Sequence, residues 1–209
     1  ESDDYCEVNF LEKVLPAFSD PQVKLSYCQY DFVNTEGNKN PGAFLRYVGT
    51  VDDNKWKSSY VNDASEEVET ALAIKNTIPN VSGAVFRKPL YSFLLNDKNW
   101  LSMRICGDWI FYLHIIQNGK IAYTTKTKSY FRFHTSNTSV ATYSTAAYYK
   151  EHEMVACEIN KLYDISEQTL LKNYENIRMF FNQNVHDKKL VFEELYNIQK
   201  VLSLGKNDQ

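Results

Sequence analysis

Glycine is scarce in this sequence, with seven residues in 209, while tyrosine and phenylalanine number fifteen and twelve. That balance argues against a disordered chain and for a packed globular one. The four cysteines, Cys6, Cys28, Cys106 and Cys157, form no Cys-x-x-Cys pair. A zinc site built from them would need a coincidence of folding, and a disulfide framework is unnecessary at this length; reduced thiols in a cytosolic protein are the simpler account. A surplus of one charge is also missing. The net charge is -3 and the pI near 5.9, with scattered basic residues, so no nucleic-acid partner is expected. No apolar run approaches a membrane span, the first residues read as acidic rather than as a signal peptide, and there is no internal repeat. Asn80-Val81-Ser82 and Asn137-Thr138-Ser139 match the glycosylation sequon, but without a secretory signal they read as chance.

What is present, at 44% hydrophobic, suffices for one sizeable core or for a domain with a helical appendage. Residues 7–18 place Val8, Phe10, Leu11, Val14, Leu15 and Phe18 on one helical face, ending at Asp20-Pro21. Residues 23–33 are β-rich and alternate, so they read as a strand, followed by a loop through Gly42. Residues 43–62 give mixed signals and read as a long surface segment. Ser65 with Glu66 and Glu67 starts a short helix to about Lys75. Residues 81–86 form a compact strand in which Gly83 permits close approach of backbone or ligand. A helix is expected over 88–95, and strands over 120–125 and 128–134. From Thr135 onward the pattern changes to three helices, 143–163, 166–182 and 188–204, an appendage offering a cap or pairing surface.

The most informative run is Ile105 to Gly119. Asp108 stands where a helix should begin; Trp109, Ile110, Phe111, Leu113, Ile115 and Ile116 follow at helical spacing, and Asn118-Gly119 stops it. A carboxylate in a first turn is favoured by the unpaired N–H groups and the positive dipole end. Asp108 therefore has a bland explanation, an N-terminal helix residue, and a chemical one.

Three items appear in order: the acidic cluster Glu1-Ser2-Asp3-Asp4, the helix start Cys106-Gly107-Asp108-Trp109, and the strand end Tyr130-Phe131-Arg132-Phe133-His134. With Ser82 to Arg87 and Asn118 to Tyr123, this order resembles glycosyltransferase family 2, which has the GT-A fold. The resemblance covers residues 1 to about 140. It implies an α/β fold, a partial GT-A mixed sheet with flanking helices, followed by an α-helical C-terminal extension. The domains are then 1–140, the acceptor-side half of the catalytic domain, and 141–209, the extension. The nucleotide-gripping half precedes the acidic motif in that family, so the chain is expected to be cut from a longer protein and inactive alone.

The resemblance implies site residues as well. Asp4 would hold a divalent metal, Mg²⁺ or Mn²⁺, with His134 near it. Asp3 would hold the ribose or the metal's waters, and Arg132 would meet phosphate of the nucleotide-sugar donor. Asp108 would be the general base for inverting transfer to a hydroxyl of a glycan or lipid-linked acceptor, as in cell-surface polysaccharide assembly. An Asp with an ordinary pKa of about 3.9 is a weak but fully ionised base, sufficient when the proton moves late. The family implies a cytoplasmic location, at the inner face of the membrane by peripheral association, and the C-terminal helices could pair in a homo-oligomer. The acidic motif departs from plain Asp-x-Asp by Glu1 at its first position. Each residue also has a structural explanation: Asp3 and Asp4 as caps for the first helix, His134 as a strand end, Arg132 as a surface arginine, His114 and Trp109 as packing. A non-catalytic glycan- or partner-binding module with a helical oligomerisation surface is the rival function, and a helical scaffold a third.

Overall fold

Val23–Val33 is buried or half-buried at all eleven positions, as expected of a strand covered on both faces. The computed structural model describes residues 3–88, 98–133 and 138–206. It shows an α/β chain with a mixed sheet, divided into two compact units interleaved along the sequence. The first comprises Glu1–Glu67, Asn76–Leu90 and Ile115–His134; the second comprises Val68–Lys75, Tyr91–His114 and Thr135–Gln209.

The first unit holds a six-stranded sheet: β1 (Tyr5–Cys6), β2 (Val23–Val33), β3 (Lys39–Asn40), β4 (Tyr60–Asp63), β5 (Ala84–Phe86) and β6 (Lys120–Arg132). β2 and β6 run parallel, from Val23 opposite Lys120 to Val33 opposite Arg132. The other pairings are antiparallel: β4 on the first half of β6, β1 on its second half, β5 and β3 on the two ends of β2. Where two strands are expected over 120–125 and 128–134, one strand runs through to Arg132 with an irregularity between Thr124 and Lys128. Side-chain oxygens take the amides there: Ser59 Oγ accepts from Thr125 N–H at 3.0 Å and Thr124 Oγ1 from Lys126 N–H at 3.2 Å. Those two bonds give the amides of Thr125 and Lys126 partners where the ladder is interrupted.

Residues 43–62 are not a surface segment. They contain the helix Ala43–Val48 and strand β4, and both Phe44 and Trp56 are almost wholly buried. Phe44 packs edge-on to Tyr30, and the Trp56 indole N–H donates to the Tyr27 hydroxyl at 2.8 Å. Tyr27 and Tyr60 share a hydrogen bond of 2.7 Å, and Tyr60 donates to Glu67 Oε1 at 2.9 Å. Glu67 is fully buried; its Oε2 meets Lys55 Nζ at 2.7 Å and accepts from Asn62 Nδ2 at 3.0 Å. This chain of polar groups is satisfied link by link, which is what a buried carboxylate requires. The expected helix over 7–18 is shorter, Phe10–Val14 followed by a 3₁₀ segment Leu15–Ser19. Its buried face is Phe10 and Val14 alone, while Val8, Leu11 and Leu15 are exposed. The tightened turns after Val14 rotate the later residues off the face that the α-helical period would give them.

The second unit is helical. Its elements include Gly107–Ile116, which ends in the first unit, then Thr138–Thr142, Ala146–Leu162, Glu167–Asn184, Phe192–Leu195 and Ile198–Ser203. The α-helix Ala64–Glu67 passes into a π-helical turn, Val68–Leu72. The last expected helix is broken between Leu195 and Ile198. Tyr196, fully buried in extended backbone, donates to Asn173 Oδ1 at 2.7 Å, and Asn197 starts a new helix by accepting from Lys200 N–H. Three glutamates fix helix starts within this unit: Glu69 accepts from Ser166 and Thr169, Glu153 from Asn197 N–H, and Glu151 from Arg104, Ile105 and Cys106 N–H. The helix expected over 88–95 lies outside the described residues but for Lys88. Among the described residues no helix is long and apolar enough to cross a membrane.

Candidate functional site

β1 is only two residues long, yet its pairing of Tyr5 with Tyr130 and Cys6 with Ser129 fixes where the acidic start of the chain lies. Because β1 runs antiparallel to β6, Asp3 and Asp4 fall beside Arg132, at the carboxyl end of the parallel pair β2 and β6. The Tyr5 and Tyr130 rings stack with centroids 4.7 Å apart, and the Lys39 ammonium lies 4.1 Å from the Tyr130 centroid.

The Asp4 carboxylate is held through both oxygens. Oδ1 accepts from the backbone N–H of Arg132 at 2.9 Å, and Oδ2 accepts from the Asn80 amide at 3.1 Å. Asn80 is buried, just before the 3₁₀ turn Val81–Gly83 that leads into β5. A Cβ at Gly83 would lie 2.5 Å from Ser129 Oγ, so the close approach expected of this glycine is to β6. That approach lets the Asn80 turn rest on β6 beside Asp4. Each carboxylate oxygen has two lone pairs, so Asp4 keeps acceptor capacity after these bonds.

Asp3 is exposed, and its backbone carbonyl accepts from Arg132 Nε at 3.2 Å. Arg132 Nη1 donates to the carbonyl of Asn34 at 2.9 Å, so this guanidinium ties the start of the chain to the loop after β2. The structure thus brings Asp3, Asp4 and Arg132 together in the first unit. His134, expected near a metal, lies outside the described residues. Among the described residues no group of three or more His, Cys, Asp or Glu side chains could hold a metal ion.

Asp108 belongs to the second unit. It lies in the first turn of Gly107–Ile116, where Cys106 C=O accepts from Ile110 N–H, and its Oδ1 accepts from Trp109 N–H at 2.7 Å. Trp109 is buried, donating its indole N–H to Leu72 C=O at 3.0 Å, and so packs as expected. His114 Nε2 pairs with Glu158 at 2.9 Å, and that bond holds the Glu158 carboxyl below its ordinary pKa. His152 is buried against Tyr148, its Nδ1 2.7 Å from the Tyr148 carbonyl, and burial lowers its pKa to about 4. Burial, with Asp108 and Glu151 nearby, pushes the Cys106 thiol well above its usual range, which disfavours the thiolate.

Two residues near these groups escaped the sequence: Asn80 and Glu151. Asn80 figured only as part of a chance sequon, and no local pattern singled out Glu151. An open recess of about 340 Å³ in the first unit, lined by Lys13, Ser26, Ser59, Tyr60 and Thr124 among others, contains none of the expected site residues. No known family model matches the chain, and no curated protein matches it.

Proposed function

We propose that this chain is part of a GT-A glycosyltransferase of family 2, moving a sugar from a nucleotide-sugar donor to a hydroxyl of a glycan or lipid-linked acceptor. One observation carries the reading. Asp3 and Asp4 sit at the carboxyl end of the parallel strands β2 and β6, the end at which α/β sheets bind ligands, with Asp4 oriented by Asn80 and Arg132. One or two carboxylates are too few for an all-protein cage but suit Mg²⁺ or Mn²⁺ shared with substrate phosphates. Asp4 would hold that ion with Asp3 beside it; when bound, the ion neutralises charge on the leaving diphosphate.

Asp108 is the base in this reading. Its carboxylate accepts the acceptor's hydroxyl proton as that oxygen bonds to the anomeric carbon. The bond from that carbon to the diphosphate oxygen breaks on the opposite face, which inverts the centre and releases the nucleoside diphosphate. The test is nucleoside diphosphate release by the full-length protein carrying this chain, from UDP-, GDP- and dTDP-linked hexoses with Mn²⁺. Asp108→Asn should abolish transfer and leave donor and metal binding in place; unchanged turnover removes Asp108 from the base role. Asp4→Ala should weaken UDP binding in the presence of Mn²⁺, read by titration calorimetry.

The rival is a non-catalytic glycan- or partner-binding module. It is favoured by the Arg132 guanidinium, whose bonds to the Asp3 and Asn34 carbonyls are those of a structural tie. Glycan binding without turnover on any donor of the panel would select it.

A further inference from the structure

The helix that carries Asp108 has a poor cap of its own. Cys106 stands at its N-cap, where its carbonyl accepts the first helical bond, and a thiol is a weak acceptor compared with the usual Ser, Thr, Asp or Asn. Its start is defined by another helix. From Ala146–Leu162, the half-buried Glu151 extends its carboxylate to three consecutive amides: Oε1 accepts from Arg104 N–H at 3.0 Å, and Oε2 accepts from Ile105 and Cys106 N–H at 2.9 Å each. Successive backbone N–H groups turned to one side form an anion-binding concavity, and here a side chain of the same unit fills it. The last clasped amide is two residues before Asp108. Beyond Asp108, the Trp109 indole N–H is fixed to Leu72 C=O, so the first turn is held on both sides.

We propose that Glu151 is a positioning residue for Asp108, setting the register at which the helix begins and hence the direction of the Asp108 carboxylate. The proposal rests on the glycosyl-transfer reading of Asp108. A start displaced by one residue turns a helical side chain by about 100°, given 3.6 residues per turn. A base displaced by about 1 Å from its reacting proton costs on the order of a hundredfold in rate. Glu151→Gln keeps the shape but turns an amide NH₂ toward at least one of the three N–H donors. The clasp is then opposed by its own replacement.

The experiment uses the full-length protein and the donor turned over fastest among UDP-, GDP- and dTDP-linked hexoses. In Glu151→Gln, kcat should fall about tenfold or more while the donor KM stays within twofold. Amide exchange in the peptide covering residues 104–106 should accelerate by a similar factor, with the far-ultraviolet circular dichroism spectrum retained. A purely stabilising role would speed exchange without that kcat change. Unchanged kcat, or unchanged exchange, therefore overturns the proposal. Should Glu151→Gln fail to fold, Glu151→Asp, which shortens the reach by one methylene, gives the same two readouts. An inactive Asp108→Asn beside a fully active Glu151→Gln removes this inference alone. An active Asp108→Asn removes the base reading and this inference with it.

Discussion

Replacing Glu67 by alanine should be among the most damaging single changes in the sheet unit. The carboxylate is fully buried and takes hydrogen bonds or ion-pair contact from Tyr60, Asn62 and Lys55. Truncation leaves the Lys55 ammonium, whose side chain is 13% exposed, without that counter-charge, and takes an acceptor from two further donors. Breaking a buried pair by deleting one partner costs about 3–5 kcal/mol. Against a domain stability of about 5–15 kcal/mol, that is more than half of the total at the lower end. Glu67→Gln preserves the volume and one acceptor oxygen, so its cost should be nearer 1–3 kcal/mol. Lys55→Met with Glu67→Leu removes both charges together and should cost less than Glu67→Ala alone, since well-packed apolar replacements of a buried pair are often close to neutral. Amide exchange of β2 and β6 peptides across a urea series measures this unit separately from the helical one, which matters because two units need not unfold as one step. A Glu67→Ala cost below about 1 kcal/mol would refute the reasoning. So would a double variant as unstable as the single one.

Asn80→Ala should weaken Mn²⁺ binding in the presence of UDP by about 10–100-fold, the usual cost of losing a partner that orients a ligand, as read by titration calorimetry; unchanged affinity would separate Asn80 from any metal role. Acid should destabilise the helical unit in two stages. His152, held neutral by burial with its pKa lowered to about 4, must take up a proton on unfolding, so stability falls as pH drops from about 6.5 toward 4. Against the upward push of burial, bonds from Ser166 and Thr169 hold Glu69 below its ordinary value of 4.5. Its contribution is therefore present above about 4.5 and lost as pH falls through the lowered value. Melting temperatures of wild type and His152→Gln between pH 7 and 4.5 should converge as pH falls, and parallel curves would contradict the assignment.

Much of the fold was legible where the signal is local. The β2 strand showed in its run of Val23, Leu25, Tyr27, Tyr30 and Phe32, and the Ser166 start showed because the cap is one residue accepting from an amide three positions on. The Asn118-Gly119 stop also held; Asn118 adopts a φ of 55°, which asparagine tolerates better than most residues. The failures are tertiary. Trp56 sits among lysines and serines, and its burial comes from partners distant in sequence: the Tyr27 hydroxyl, the edge-on Phe44 ring and the Tyr123 hydroxyl. Leu11 and Leu15 look like core by period and are not: the short helix buries only the Phe10 and Val14 face, one turn apart, and after Val14 the turns tighten. The Asp4 environment was half readable: the acidic pair and Arg132 were visible as residue types, but Asn80 meets Asp4 across 76 positions of chain. Periodicity carries no information at that range.

The irregularity in β6 separates the stretch that pairs with β4 from the stretch that pairs with β1, while β2 pairs with both. Before it, Tyr123 faces Tyr60 of β4; after it, Tyr130 faces Tyr5 of β1. Lys126, at the break, is exposed. Both alignments are carried by the unbroken β2, whose adjacent Cys28 and Gln29 pair with Thr124 and Lys128, so a residue inserted beside Lys126 would enlarge the bulge while β2 keeps the aromatic core around Tyr123 and the acidic corner beside Arg132 in place.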